Sequence, residues 1–151
     1  MNATQTQEIY INGENHVLGR LASYVAKLLL KGYRLYVVNA EKIVITGKWR
    51  VVLEEWKHKI LERGDWYKGP FYPKRPDRIF KRVVRGMLPK NKKGREALKR
   101  LKVYIGIPEE FSNKSFTVFE KALITYKIKN SRRKIWYVEL GTLAKHLGVK
   151  F

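Results

Sequence analysis

The apolar positions of this chain recur at two spacings that alternate along its first third. Glu8–Ile11 alternates weakly and reads as a short strand, ended by the turn-forming pair Asn12-Gly13. From Leu18 to Leu30 the spacing becomes helical. Leu18, Leu21, Ala22, Val25, Ala26, Leu28 and Leu29 share one face, with Arg20, Ser23, Tyr24 and Lys27 on the other. Gly32 suits the left-handed residue that closes a helix. Leu35–Val38 reads as a buried strand ending at Asn39-Ala40. Strand, helix and strand within roughly thirty residues predict a right-handed crossover and a parallel sheet.

The pattern continues with Ile43–Ile45, a short apolar run that fits either another sheet edge or a loop packed on the core. Gly47 precedes a second helix over Lys48–Arg63, with Trp49, Val52, Leu53, Trp56 and Ile60 inward, Glu54, Glu55, His58 and Glu62 outward, and Gly64 at its end. Pro76 and Pro89 bracket a third helix, since proline is tolerated in a first turn and disfavours helix in the residue before it. At about 100° per residue, Arg78, Lys81, Arg82 and Arg85 fall on one narrow arc opposite Ile79, Phe80, Val83, Val84 and Met87. A Lys/Arg-rich loop over Lys90–Arg95 leads into a second short basic helix containing Ala97, Leu98 and Leu101, and Val103–Ile105 is a further strand stopped by Gly106-Ile107-Pro108. The tail alternates around Leu123–Lys129, breaks at Asn130–Arg133, resumes at Ile135–Val138 and closes with a helix over Glu139–Leu147. The polar Met1–Gln7 reads as a frayed end without the layout of a signal peptide. No internal repeat or linker divides 1–151, which reads as a single domain.

Charge sharpens this picture. Residues 68–102 hold fourteen Lys and Arg against Asp77 and Glu96, so twelve of the twenty net positive charges sit in one segment. Like charges at this density oppose compaction unless a polyanion relieves them, which points to a basic RNA-binding segment rather than a solvated face. A hydrophobic fraction of 44% in 151 residues agrees with one folded domain. No apolar run approaches a membrane span, and each helix has a face the core can use, so no membrane partner is expected. With no cysteine there is no disulfide or thiolate metal site, in keeping with a cytoplasmic protein. His16, His58 and His146 are scattered, as surface or locally bonded histidines are, and no metal or cofactor is expected.

Candidate chemistry is sparse. Gly13–Ser23 lies between a strand and a helix, where α/β proteins bind phosphate, but it matches neither glycine-rich phosphate pattern. Arg20 on its polar face remains a candidate for an RNA phosphate. Glu54 and His58 stand four apart, a spacing that more simply stabilises a helix. Neither a nucleophile set nor a small-molecule substrate site is evident. Phe71 and Tyr72, set among prolines and lysines, fit equally well as stackers on unpaired bases or as core plugs.

Several blocks carry a resemblance to a known family: Leu18-Gly19-Arg20-Leu21-Ala22-Ser23, Val37-Val38-Asn39-Ala40-Glu41, Arg78-Ile79-Phe80, Arg85-Gly86-Met87-Leu88-Pro89 with Gly94-Arg95, Leu101-Lys102-Val103-Tyr104, and Gly106-Ile107-Pro108. In order and spacing the chain resembles the universal large-subunit ribosomal protein thirteen family, of archaeal and eukaryotic type. Leu140-Gly141 through Leu147-Gly148 resembles that family's C-terminal helix, and Gly106–Phe111 stands where bacterial members carry a His-Pro-His segment. The resemblance implies an α/β fold, three-layer α/β/α with a small, mainly parallel four-stranded sheet and basic extensions. It also implies binding to large-subunit rRNA beside neighbouring ribosomal proteins, in the cytoplasm, with a structural rather than enzymatic role in subunit assembly. The alternative on the same layered fold is an RNA-modifying or nucleotide-binding enzyme. The expected RNA contacts are Arg78, Lys81, Arg82 and Arg85 at the centre, with Lys90, Lys92, Lys93 and Arg95 as a flexible extension. Arg20, Lys68, Lys74 and Arg75 flank them.

Overall fold

The computed structural model describes residues 7–62 and 64–151. The frayed start expected at 1–7 therefore lies outside the described residues, Gln7 apart. In chain order the elements are β1 (Glu8–Asn12), α1 (Leu18–Leu30), β2 (Arg34–Val38), β3 (Val44–Thr46) and α2 (Trp49–Lys57), extended by a wider π turn over His58–Glu62. Then come α3 (Pro76–Met87), α4 (Lys92–Lys99), β4 (Leu101–Val103), α5 (Ile124–Lys129), β5 (Tyr137–Glu139) and α6 (Leu140–His146).

The predicted crossover is present. β1 and β2 pair in parallel from Glu8 opposite Arg34 to Asn12 opposite Val38, and α1 joins them. β4 adds to the far side of β2, also in parallel, giving the order β1-β2-β4. These three strands form the sheet among the described residues. The apolar run at 43–45 instead joins β5 in a separate antiparallel ribbon, Val44 opposite Glu139 and Thr46 opposite Tyr137.

One sheet face is apolar. Ile11, Leu35, Val37 and Leu101 are fully buried with Leu21, Val25 and Leu29 of α1 and Ile79, Phe80 and Val84 of α3. The opposite face carries Tyr10 and Tyr36, stacked 4.9 Å apart, with Phe111 edge-on to Tyr10 and tilted against Tyr36. α1 ends where the sequence predicts, at Lys31 and Gly32 (φ +98°), and the Arg100 guanidinium donates to its Leu29 carbonyl at 2.6 Å. That bond fastens the end of the basic segment to the first helix.

Four local expectations fail, each for a physical reason. Leu101 begins β4 rather than extending a helix, because the burial it needs lies beside Leu35 in the sheet. Met87 is exposed, and Leu88, one residue beyond α3, takes the buried place. The alternation at 123–129 folds as α5. Of that short helix only Ile124 is buried, and so brief a stretch satisfies either period. Finally, Lys92, Lys93 and Arg95 stand on α4 and not on a flexible loop. Asn91 caps that helix, its side-chain oxygen accepting the Gly94 N–H at 3.0 Å.

Candidate nucleic-acid interface

The basic segment is shaped by two helix ends that meet. α3 has Pro76 in its first turn and buries Pro76, Ile79, Phe80 and Val84, which leaves its cationic arc outward. Pro89 stops it, and α4 starts so close behind that a Cβ on Gly94 would collide with the Pro89 carbonyl oxygen. Only glycine permits this approach. The tight junction sets α4 against the last turn of α3 and leaves a concavity between them.

That concavity is a groove of about 760 Å³. Ile79, Val83, Leu88 and Leu98 supply apolar lining, and Arg82, Arg85, Lys90 and Arg95 supply charge. Trp56, Lys59 and Tyr72 complete it from α2, its π turn and the loop before α3, and among the described residues no carboxylate lines it. Two of its rings carry cations. The Arg82 guanidinium lies 5.0 Å from the Tyr72 ring centre, and the Lys59 ammonium 4.9 Å from that of Trp56.

The expected site residues separate into groups. Arg82, Arg85, Lys90 and Arg95 come together in the groove, while Lys92 and Lys93 are exposed on the first turn of α4. Arg78 is exposed on the arc, but Lys81 lies on its other flank, half-buried. Burial, and next the nearby Lys102 charge, lower the Lys81 ammonium pKa below its usual value. Lys68, Lys74 and Arg75 are exposed along the preceding loop, and Arg75 approaches Asp77 at 3.4 Å. Arg20 stands apart, donating weakly to the Lys121 carbonyl at 3.4 Å.

Sequence reasoning missed Trp56 and Lys59. Trp56 packs against the core as its inward position predicts and also lines the groove, and the signal that could have found the pair is their three-residue spacing on one helix surface, a tryptophan beside a lysine. Neither Phe71 nor Tyr72 plugs the core, Phe71 being exposed and Tyr72 half-buried against Arg82. Trp66 is 88% exposed beside Tyr67, on a loop pinned by reciprocal backbone bonds between Asp65 and Gly69. These bulky groups sit on a loop and not on an amphipathic helix, and among the described residues no helix is long and apolar enough to cross a membrane.

The enzyme alternative finds little to work with. Glu54 pairs with Arg50 at 3.3 Å and His58 with Glu62 at 3.2 Å, so the suspected Glu54–His58 pair does not form. At the carboxyl ends of the parallel strands, where α/β enzymes bind ligands, the chain bonds to itself. Asn39 donates to the Asn12 side chain at 3.0 Å, and the Glu41 carboxylate accepts the Gly106 N–H at 2.9 Å. Buried His16 is likewise structural. Its Nδ1 bonds the Glu14 carbonyl at 3.1 Å and its Nε2 accepts the Phe119 N–H at 3.1 Å, and burial lowers its pKa. No cluster of metal-ligating side chains occurs among the described residues.

These blocks have counterparts in known proteins. The model of the ribosomal protein L13 family matches residues 6–110, which contain the crossover, α3, α4 and the whole groove. The chain belongs to that family. It is 53% identical to the large ribosomal subunit protein uL13 of Methanopyrus kandleri over 139 residues, 91% of this chain and 85% of the relative. It is also similar to the uL13 proteins of Archaeoglobus fulgidus, at 47% over 93% of this chain and 87% of the relative, and of Aeropyrum pernix, at 46% over 97% and 93%. The family is that of a ribosomal protein and not of an enzyme. The last 41 residues lie beyond the family match, and the span shared with the Aeropyrum pernix relative, 97% of this chain, is long enough to include α5, β5 and α6.

Proposed function

We propose that this chain is a structural constituent of the large ribosomal subunit in the cytoplasm, where it binds large-subunit rRNA, abuts neighbouring ribosomal proteins and supports subunit assembly. One observation carries the reading: a cation-lined groove without a carboxylate, flanked by the exposed arc of α3, in a chain of net charge +20. Such a surface neutralises phosphates and follows RNA shape, because the deep, narrow major groove of an A-form helix is closed to side chains. Arg78, Lys81, Arg82 and Arg85 form the centre of the contact. Lys90, Lys92, Lys93 and Arg95 extend it along α4, and Arg20, Lys68, Lys74 and Arg75 flank it. The reading takes 1–151 as one domain and includes a three-layer fold with a fourth parallel strand. What supports that strand is a lone parallel bridge between Ile11 and Thr117 at the free edge of β1.

The test replaces Arg78, Arg82 and Arg85 together with glutamine, which keeps helix propensity. The folded variant is expected to lose rRNA binding and to be absent from sedimented large subunits. Affinity of the unaltered protein for large-subunit rRNA fragments is expected to fall on the order of 10³- to 10⁵-fold between roughly 50 and 200 mM salt. A folded triple variant that enters subunits normally would overturn the reading.

A further inference from the structure

The groove is more than a cationic surface, and its shape selects a ligand. A phosphate backbone alone is served by exposed lysines and arginines such as Lys92, Lys93 and Arg78. An apolar floor of Ile79, Val83 and Leu98 and two aromatic walls add nothing to binding a duplex, whose bases are stacked inside. They suit a flat, partly apolar π system carried by an anionic chain. We propose that the groove holds an unpaired nucleotide of the bound RNA, its base against Tyr72 and Trp56 and its phosphates on Arg85, Lys90 and Arg95. This deepens the rRNA-binding reading and rests on it.

Three features argue for this occupant. The volume of about 760 Å³ lies within the range that encloses a small organic ligand, and a rigid duplex cannot enter a cleft of that size. Each aromatic wall already lies beside a cation, Tyr72 beside Arg82 and Trp56 beside Lys59. A base at Tyr72 meets both a ring and a guanidinium plane, the surfaces on which unpaired bases stack, and at Trp56 it meets a ring beside an ammonium. Among the described residues the lining carries several cations and no carboxylate, and of those cations Lys59 alone has an acidic partner, Glu55 at 3.1 Å, so the uncompensated charge calls for an anionic ligand. An acidic peptide would satisfy the charge but leave the aromatic walls without a matching π face.

The experiment uses the full chain, a labelled single-stranded RNA hexamer of mixed sequence, and an RNA duplex with the same number of phosphates, read by fluorescence anisotropy. The unaltered protein is expected to bind the hexamer at least about tenfold more tightly than the duplex. Tyr72→Leu should weaken the hexamer roughly 5- to 150-fold, the loss expected for one stacked base, and leave the duplex within about twofold. Tyr72→Phe keeps the ring and should bind as the unaltered protein does. Should Tyr72→Leu fail to fold, Trp56→Leu against Trp56→Phe poses the same contrast on the other wall. Equal affinity of the unaltered protein for hexamer and duplex overturns the proposal. So does an equal loss for both RNAs in the leucine variants, or displacement of the hexamer by a glutamate-rich peptide at lower concentration than by RNA. If the triple glutamine variant loses rRNA while the leucine variants keep the hexamer, only the nucleotide site fails. If the triple variant also binds normally, the rRNA-binding reading fails with it.

Discussion

Two glycines eight residues apart in the basic segment should respond oppositely to the same added methyl group. Gly94 sits in the first turn of α4, and a Cβ there would overlap the Pro89 carbonyl oxygen and come within 2.8 Å of its carbonyl carbon. Both atoms are backbone, so no side-chain rotation relieves the clash, and α4 must move. Overpacking of this kind costs about 1–3 kcal/mol, and a backbone obstacle places it near the upper end. Alanine recovers about 1 kcal/mol through its better helix propensity, leaving a net loss of about 2 kcal/mol. Gly86 belongs to the last turn of α3, takes no left-handed conformation, and has nothing within 4 Å of the position a Cβ would fill. Gly86→Ala should therefore gain about 0.5–1 kcal/mol. In thermal unfolding at one buffer and protein concentration, Gly94→Ala should melt roughly 4–8 °C lower and Gly86→Ala roughly 1–4 °C higher than the unaltered chain. A Gly94→Ala variant that melts at or above the unaltered protein would refute the tight α3–α4 junction, and with it the account of how the groove is shaped.

Other perturbations test the elements around that junction. Phe80, fully buried on the inner face of α3, should lose about 3–5 kcal/mol as Phe80→Ala by urea unfolding, with every cation still in place. Asn91→Ala removes the cap bond to Gly94 and should cost about 0.5–2 kcal/mol, read as a lower urea midpoint. The neutral His16 imidazole binds fewer protons than its unfolded counterpart at any pH between its lowered folded pKa and the ordinary 6.5. Stability is accordingly full above 6.5 and falls as pH drops from there toward the lowered value, and His16→Gln should flatten that limb of a stability-against-pH curve.

What could be read from the sequence was whatever a single element decides for itself. The α1 face from Leu18 to Leu29, its glycine stop, and the flanking strands follow from periodicity and local chemistry, and the structure places them as expected. The inner face of α3 was legible at Ile79, Phe80 and Val84, but failed at Met87, because the last turn of a helix buries whatever its exit path allows. Partners distant in sequence were not legible. Nothing local marks Val44 to pair with Glu139, or Arg100 to reach the end of α1. The groove shows the same division. Its α3 and α4 cations were found from charge clustering, whereas the spacing of Trp56 and Lys59 marks them as neighbours on one surface but not as part of a groove with residues of α3 and α4, which are distant in sequence.

The scarcity of acidic partners in the basic segment has a consequence for handling and for assembly. Among the described residues, the ion pairs within 4 Å that involve 68–102 come down to Arg75 with Asp77, so the other cations there have no acidic partner within that distance. Ionic strength then acts on the free and bound protein in opposite directions. Added salt screens the mutual repulsion of α3 and α4 and steadies the isolated chain. The same salt removes the counterion-release advantage that drives RNA binding. A chain held in dilute buffer is thus at once least comfortable alone and most avid for RNA, so that the polyanion acts as both its ligand and the missing half of its charge balance.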